Sequence, residues 1–325
     1  MNTECIQSEF ELQGIDGKPI IVKRDGETIS SDGGLVLLSS IEKEFKIISR
    51  IADTFHDLRN QDLITHDLPT LLRQRIFGIC QGYEDMNDHD EWRKDPLLAI
   101  ACDKLPCDDG LAGKSTLNRL ELGLSPERSK DRYKNIRYDG ERLRSLLVEL
   151  FLETYPCGRR GPKEIVIDVD STDDPLHGDQ EGRFFHGYYD EYCYLPLYMF
   201  VGEFPLWAEL RTADVDPADG VIPALEEIVT AIRKRWKKTR IIIRGDSGFN
   251  RPEILSWCEN QDRVFYVIGL PKNSRLIRAV NGSIREAKRL FECTGESQRV
   301  FRDIRYKTLK TWERARRVVA KAEHL

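Results

Sequence analysis

The chain has 325 residues, of which 40% are hydrophobic and 32% are charged, and its formal net charge is −5. This length is enough for a buried core and for about two domains. No run approaches the ~18 to 20 apolar residues of a membrane span, and the polar start lacks the regions of a signal peptide, so we expect a cytoplasmic protein. The eight cysteines contain no CxxC pair, which argues against a zinc module and a disulfide scaffold.

The charge is unevenly distributed along the chain. Residues 272–325 contain fifteen Lys and Arg against six Asp and Glu, a balance of +9 that leaves −14 for residues 1–271. A basic segment that also contains aromatic side chains suits contact with DNA phosphates. The same composition also fits a charged surface exposed to water, because charge alone does not identify a partner.

The N-terminal third predicts a hairpin followed by helices. Residues 1–29 contain turn signals and weak alternation, which predict a β-hairpin or arm. An amphipathic helix follows with Asp32 as its expected cap, and a second begins after Asp67 and ends at Gly82. The apolar positions of the first helix are Leu35, Leu38, Ile41, Phe45 and Ile48. Arg73 and Arg75, which the pattern predicts to be exposed, leave two interpretations open, a helix-turn-helix-like DNA reader and a helical bundle packed against the rest of the chain.

The segment GKSTLNRLE predicts a helix start rather than a phosphate-binding loop. A P-loop needs Gly where this chain has Asp108, and no strand precedes the segment. Ser115 or Thr116 is the expected cap, and Lys114 is a candidate for DNA backbone contact. Another amphipathic helix is predicted over 141–155, and the GRRGP run at 158–162 is the expected domain boundary.

The run IVIDVDSTDDP, Ile165 to Pro175, predicts a strand that carries acids. Alternation places Val166, Asp168 and Asp170 on one face. Carboxylates that share a strand face repel one another and need a cationic partner, and a divalent metal is the usual one. The alternative is an ordinary strand that runs into an acidic turn.

A second acidic strand end is predicted at Asp246. The run TRIIIRGDSGF is short and β-branched, and functional groups in open α/β sheets collect beyond the carboxyl ends of the strands. Asp246 also suits a cap or turn position before the helix that Pro252 begins. His177 and His186 are further candidates for metal contact, although no HxxxH or HxH spacing accompanies them, and a histidine in a hydrogen-bonded turn is the alternative.

The remaining elements predict an α/β domain. Phe184–Tyr189 and Tyr192–Val201 predict a pair of strands and Phe204–Thr212 a third, with Pro196 and Pro205 at edges or bulges. Helices over 219–236 and 252–260 and a strand over 264–270 complete the alternation. This order predicts a mixed sheet with helices on its faces.

Several of these segments together resemble the insertion-sequence-1380 group of bacterial DDE transposases. They are SDGGLVLL, LRQRIFGICQGYEDMNDHD, GKSTLNRLE, DVDSTDDPLHGDQEG, YCYLPLYMF, ELR and IIIRGDSGF, in this order between about 30 and 275. The resemblance implies a ribonuclease-H-like mixed α/β sheet with flanking helices. It divides the chain into a mainly helical region that binds DNA ends (1–160), an incomplete catalytic core (161–271) and the basic start of a β-rich insertion (272–325).

The resemblance also implies the chemistry. Phosphodiester bonds at the transposon ends are cleaved and the freed 3′ hydroxyl attacks target DNA, with Mg²⁺ as cofactor and Mn²⁺ as a substitute. Asp170 and Asp246 are the expected catalytic residues and metal ligands. Asp168 is the alternative ligand in the first position, and Asp170 is preferred there because Asp170, Ser171 and Thr172 match the family's Asp-x-Thr pattern. The implied partners are terminal inverted repeats, target DNA and a second copy of the chain, and bound DNA would bring the protein to the nucleoid.

The third acid of such a site is a Glu on a helix beyond the second Asp, within a pattern of Tyr, Arg, Glu and Lys. None of the later glutamates has this pattern: Glu253, Glu259, Glu286, Glu292, Glu296, Glu313 and Glu323. We therefore expect a C-terminally truncated copy whose third acid lies beyond residue 325. The alternatives are a non-catalytic DNA-binding remnant or inhibitor of full-length transposase, and a ribonuclease-H-like nuclease unrelated to transposition, against which the helical N-terminal region argues.

Overall fold

The computed structural model describes residues 9–15, 18–23, 30, 32–106, 109–122, 135–158, 160–180 and 182–325. The chain divides into two compact units, Met1–Leu146 and Leu147–Leu325. The division lies within a helix and before the 158–162 run at which the sequence predicted a boundary. The turn signals at Asp16, Gly17, Asp25 and Gly26 are outside the described residues.

The first unit is mainly helical. Its elements are β1 (Glu9–Ile15), β2 (Lys18–Lys23), α1 (Leu35–Phe45), α2 (Ile47–Ala52), β3 (Phe55–Asp57), α3 (Leu68–Gln81), α4 (His89–Trp92), α5 (Pro96–Ala101), α6 (Lys114–Leu122), β4 (Ile136–Tyr138) and the start of α7 (Gly140–Thr154). Strands β1 and β2 form the predicted antiparallel hairpin, and β3 pairs with β4. The helices bury a common core that includes Leu35, Leu71, Leu98 and Leu117.

The helix predicted from Leu35 through Ile48 is two helices. The chain breaks at Lys46, whose φ of 53° is left-handed, and the buried carboxylate of Glu42 then caps α2. It accepts hydrogen bonds from the Ile48 amide at 2.7 Å and from the Ser49 amide at 2.9 Å. The break therefore provides the first amides of α2 with a charged acceptor.

The prediction that Asp32 caps α1 is wrong. The N-cap residue is Gly34, and it makes no side-chain cap. Asp32 is buried instead, and its carboxylate accepts hydrogen bonds from Trp92 Nε1 at 2.7 Å and from the Tyr83 hydroxyl at 3.1 Å. The position of Asp32 just before a helix suggested a capping role, but its carboxylate instead accepts hydrogen bonds from residues more than fifty positions away.

The predicted ends of α3 are confirmed, and the predicted cap of α6 is wrong. Asp67 accepts a hydrogen bond from the Thr70 amide at 2.8 Å, and Gly82, with φ of 89°, ends α3. Helix α6 begins at Lys114, so Ser115 and Thr116 lie inside its first turn. The Lys114 amide donates to Asp90 at 3.0 Å.

Hydrogen bonds, some of them buried, join the N-terminal motif segments to one another. The Gln74 side chain donates to the Ala112 carbonyl at 2.8 Å and accepts from the Ala112 amide at 3.0 Å. Lys114 Nζ lies 3.2 Å from the Asp90 carboxylate and 3.1 Å from Asn87 Oδ1. These contacts give the motifs a packing role within the first unit.

The second unit contains the α/β elements. They are the end of α7, β5 (Glu164–Ser171), β6 (Asp174–Pro175), β7 (Phe184–His186), β8 (Glu191–Tyr194), β9 (Leu197–Val201), β10 (Phe204–Glu209), α8 (Val221–Arg235), β11 (Arg240–Gly245), α9 (Pro252–Asn260), β12 (Val264–Ile268), α10 (Ser274–Thr294), β13 (Gln298–Tyr306) and β14 (Arg316–His324). Over the ranges described, no helix is both long enough and apolar enough to cross a bilayer.

In the described part of the chain, five strands form one mixed sheet in the order β10-β9-β5-β11-β12. Strands β5, β11 and β12 are parallel, and β9 and β10 are antiparallel to their neighbours. Buried apolar side chains of β5 and β11 pack with those of α8 and α9. The predicted mixed α/β architecture is confirmed.

The predicted strand Tyr192–Val201 is two strands in two sheets. It breaks at Leu195 and Pro196, so β8 pairs with β6 and β7 while β9 joins the main sheet. Pro205 lies on the edge strand β10 next to a register shift. This confirms its predicted placement at an edge or bulge.

The basic segment begins with a helix that the sequence did not predict. Asn273 caps α10 by accepting hydrogen bonds from the amides of Arg275 and Leu276 at 3.1 and 3.0 Å, and Gly295, with φ of 69°, ends it. Strands β13 and β14 then form an antiparallel hairpin that packs against α10.

The hairpin is also tied to α9. Tyr306 and Trp312 bury Leu255 in a small apolar cluster. Beside it, the Glu259 carboxylate accepts hydrogen bonds from Arg316 Nε at 2.9 Å, from the Tyr266 hydroxyl at 2.8 Å and from Arg314. Burial raises the pKa of Glu259, but these hydrogen bonds outweigh it and lower the pKa from 4.5 to about 2.

Candidate active site

The acids of β5 lie on the face that the sequence predicted. Ile165, Ile167 and Val169 are buried, while Asp168 is partly exposed and Asp170 is exposed. Because side chains alternate along a strand, the core holds one face of β5 and leaves the acids on the other.

Asp170 and Asp246 lie at the ends of neighbouring parallel strands. Gly245 of β11 pairs with Val169 of β5, so the two acids are the next residues along each chain. Both are exposed. Asp170 accepts a hydrogen bond from the Ser171 amide at 2.9 Å. Neither carboxylate forms an ion pair with a residue in the described ranges, so both retain free acceptor positions.

Asp168 has a different environment. It pairs in register with Arg244 of β11, whose Nη2 lies 2.7 Å from one carboxylate oxygen while Nε contacts the other. This hydrogen bond raises the pKa of Arg244. The cation that the sequence predicted for this face is therefore present as a guanidinium at Asp168, and a metal there would have to displace Arg244.

Asp246 begins a tight turn that the neighbouring strand supports. Its Oδ1 accepts a hydrogen bond from the Gly248 amide at 2.7 Å, so the turn role that the sequence left open is also present. After β12 the backbone passes close to this turn at Gly269. A Cβ on Gly269 would lie 2.8 Å from the Ser247 nitrogen, and Asn250 Nδ2 donates to the Gly269 carbonyl at 2.8 Å. A side chain at 269 would displace the turn.

Tyr189 is a residue of this region that the sequence did not single out. Burial raises its pKa, and the negative charges of Asp173, Asp170 and Asp246 raise it further, so its ring lies within the field of both candidate acids. The His186 ring lies 4.9 Å from it, centroid to centroid. The His186 Nδ1 is buried and makes no hydrogen bond within the described ranges. His177 is exposed.

Arg211 fixes the end of β5. Its Nη2 donates to the Ser171 hydroxyl at 2.7 Å and its Nε to the Leu195 carbonyl at 2.9 Å. Burial lowers the pKa of Arg211, and nearby acids, Glu209 first, oppose that effect. Arg211 is part of the ELR segment, but its partner Ser171 lies 40 positions away, so the contact could not be inferred from the spacing of residues.

Asp170 and Asp246 supply some of the oxygen ligands that a hard cation needs. Among the residues the structure describes, no group of three or more His, Cys, Asp or Glu side chains is arranged to hold a metal ion. Two exposed carboxylates at adjacent strand ends nevertheless fit Mg²⁺, which binds through one or two carboxylates and completes its octahedron with water and phosphate oxygens.

The comparison with protein families decides the identity. The sequence model of the family described as transposase DDE domain group 1 matches residues 12–325. This chain belongs to that family. No curated protein and no solved structure matched it. The chain is thus a DDE transposase domain, and both acidic strand ends lie within the matched range.

Proposed function

We propose that this DDE transposase domain belongs to the insertion-sequence-1380 group and cleaves phosphodiester bonds at transposon ends before strand transfer to target DNA. The observation that carries the proposal is the position of Asp170 and Asp246 at adjacent parallel strand ends, where both are exposed and neither has a cationic partner among the described residues. The order of the five strands, with an antiparallel pair beside β5 and parallel strands on its other side, supports a ribonuclease-H-like core.

In this proposal Asp170 and Asp246 hold Mg²⁺, or Mn²⁺ in its place. Bound ions would supply activation of the attacking oxygen and stabilisation of the leaving oxygen. Arg211 holds the end of β5 through Ser171, which orients the neighbouring carboxylate. Asp168 remains the alternative ligand in the first position, and its use requires release of Arg244.

The third acid and the assembly stay predictions. A Glu within a pattern of Tyr, Arg, Glu and Lys would complete the acid triad. Sequencing the DNA that flanks the gene tests the assignment to an insertion sequence, because the proposal expects inverted repeats on both sides. A dimer that pairs two transposon ends, and its location on the nucleoid, are expected from the same resemblance.

The decisive experiment is Mn²⁺-dependent cleavage of DNA that carries the terminal inverted repeats. Asp246→Ala and Asp170→Asn should each lower the cleavage rate by about 100-fold or more, because each removes a metal ligand. Asp262→Asn is the matched control, since Asp262 is exposed just before the start of β12, at the opposite end of the sheet. Unchanged cleavage by Asp246→Ala would refute the metal-site assignment.

The same experiment addresses the alternative function. DNA binding by the unmodified chain without any cleavage, together with inhibition of a full-length transposase in a mixing assay, would favour the non-catalytic remnant or inhibitor. The observation behind this alternative is that no group of three or more His, Cys, Asp or Glu side chains in the described ranges is arranged to hold a metal ion.

A further inference from the structure

A cavity of about 390 Å³ lies in the first unit, lined by residues of α1, α2, α3 and the turn after α5. Among the described residues that line it, three side chains are cationic: Lys43, Lys46 and Arg73. This volume exceeds that of a phosphate group and leaves room for part of an attached sugar. We name it the Arg73 cavity.

The acids that line the Arg73 cavity already have partners. The carboxylate of Glu42 caps α2 and also accepts the Ser49 hydroxyl at 2.7 Å. Asp103 lies 3.1 Å from Arg73 Nη1 and 3.9 Å from Lys43 Nζ. Among the described lining residues, two side chains are acidic and three are cationic.

Arg73 presents a partly paired guanidinium to this cavity. Its Nη2 donates to the Ser49 hydroxyl at 3.4 Å, and 17% of the side chain remains exposed. Its Nε is buried and has no hydrogen-bond acceptor within the described ranges. The guanidinium fork matches the geometry of phosphate oxygens, so its exposed part suits an anion of this class.

Lys46 provides a second, independent indication. Its φ of 53° is a left-handed conformation that Gly or Asn adopts with less strain than a long side chain. The lysine is exposed, and its ammonium makes no ion pair in the described part of the chain. A lysine therefore lines the cavity at a backbone position that favours Gly or Asn.

We propose that the Arg73 cavity binds a phosphate group of the DNA backbone. The proposal rests on the proposed function in that DNA is the ligand, and it names a contact in the helical N-terminal unit. Contacts of this kind position a duplex and do not read its sequence. Lys46 and Arg73 would neutralise the phosphate, and Ser49 would hold the guanidinium in place.

The test is binding of the full 325-residue chain to a fluorescein-labelled duplex in EDTA, measured by anisotropy at several salt concentrations. Lys46→Asn removes the charge and suits the left-handed backbone. It should weaken binding about 5- to 10-fold near 0.1 M salt and reduce the slope of log K against log salt by about 0.9. Lys94→Asn, an exposed lysine outside the cavity, is the matched control and should change neither quantity.

Arg73→Gln should have a larger effect on the salt slope than Lys94→Asn, with folding checked by circular dichroism because Arg73 also pairs with Asp103. Lys46→Asn with unchanged affinity and slope overturns the proposal. A Lys46-dependent rise in melting temperature with millimolar inorganic phosphate, without any Lys46 effect on DNA affinity, overturns the DNA assignment in favour of a free phosphate site. The assay contains no divalent metal, so failure of the proposed cleavage site would not affect it.

Discussion

The carboxylates of Asp32 and of Asp246 are held in opposite ways. Asp32 is buried in the first unit and accepts hydrogen bonds from Trp92 and Tyr83. Asp246 is exposed in the second unit and accepts a backbone amide within its own turn. Both lie in segments that resemble the same transposase group, so resemblance alone does not separate an acid that builds the fold from one that is free to bind a cation.

The difference lies in what surrounds each carboxylate. A buried carboxylate whose oxygens are all paired contributes to stability, and its removal leaves donors without acceptors. An exposed carboxylate without a partner contributes little to stability and keeps its oxygens available. Asp168 is intermediate, because Arg244 pairs with it on an exposed strand face.

The sharpest test of this comparison is a pair of substitutions. Asp32→Ala should lower the free energy of unfolding by about 3 kcal/mol, because it leaves the buried Trp92 N–H unpaired. Asp246→Asn keeps the turn hydrogen bond and should change the free energy of unfolding by less than ~0.5 kcal/mol. Urea denaturation measures both. Equal losses in the two variants would contradict the distinction, and Asp32→Asn serves as a milder variant if Asp32→Ala does not fold.

The contribution of Glu259 to the free energy of unfolding depends on pH. Its pKa is lowered to about 2 in the folded chain, so its contribution is present above pH 4.5 and is lost as the pH falls toward 2. Glu259→Gln should remove about 2 kcal/mol at pH 7, a figure reduced for the exposed side chain of Arg314. The variant should also flatten the loss of stability between pH 4.5 and 2, measured by chemical denaturation. An acid profile identical to that of the unmodified chain would contradict this.

Gly269→Ala tests whether the Asp246 turn depends on its neighbour. The added Cβ would meet the Ser247 nitrogen, so the turn must shift. We expect a loss of about 1–2 kcal/mol in unfolding free energy and weaker Mn²⁺ binding, measured by calorimetry. Gly248→Ala is less informative, since its Cβ would meet the Asp246 carboxylate itself. If Gly269→Ala leaves the Mn²⁺ affinity unaltered, the conformation of this turn does not control metal binding.

The smallest effect is expected for Arg244. Its pair with Asp168 is exposed, so Arg244→Gln should leave the unfolding free energy nearly unchanged. The same change removes a positive charge from the strand face next to the acids and should tighten Mn²⁺ binding a few-fold. Titration calorimetry measures this. Weaker binding would indicate that Arg244 helps to position the acids.

Features of the fold were predictable where the signal was local. Asp67 as a cap, Gly82 as a helix end and the helix begun by Pro252 all depend on neighbours within one turn. The break at Lys46 depends on a carboxylate that reaches forward to the next helix. Helix α10 was not predicted, although the local signals Asn273 and Gly295 mark its ends.

The candidate site was predictable in part for the same reason. Alternation along β5 and the rule that functional groups collect at strand ends were sufficient to select Asp170 and Asp246. The Arg244 pair with Asp168 requires the register of two strands 76 residues apart. The proximity of Tyr189 to Asp170 and Asp246 could not be predicted, because it depends on the path of the chain between the strands.

The ties between α9 and the C-terminal hairpin bear on how fragments of this chain should be made. A fragment that ends at residue 271 would uncover Leu255 and leave Glu259 without its two arginines. Such a fragment should aggregate or be cut readily by proteases, whereas one that begins near residue 147 and keeps Arg314 and Arg316 retains those contacts. The basic segment is therefore needed in any expression of the second unit, whether or not it touches DNA.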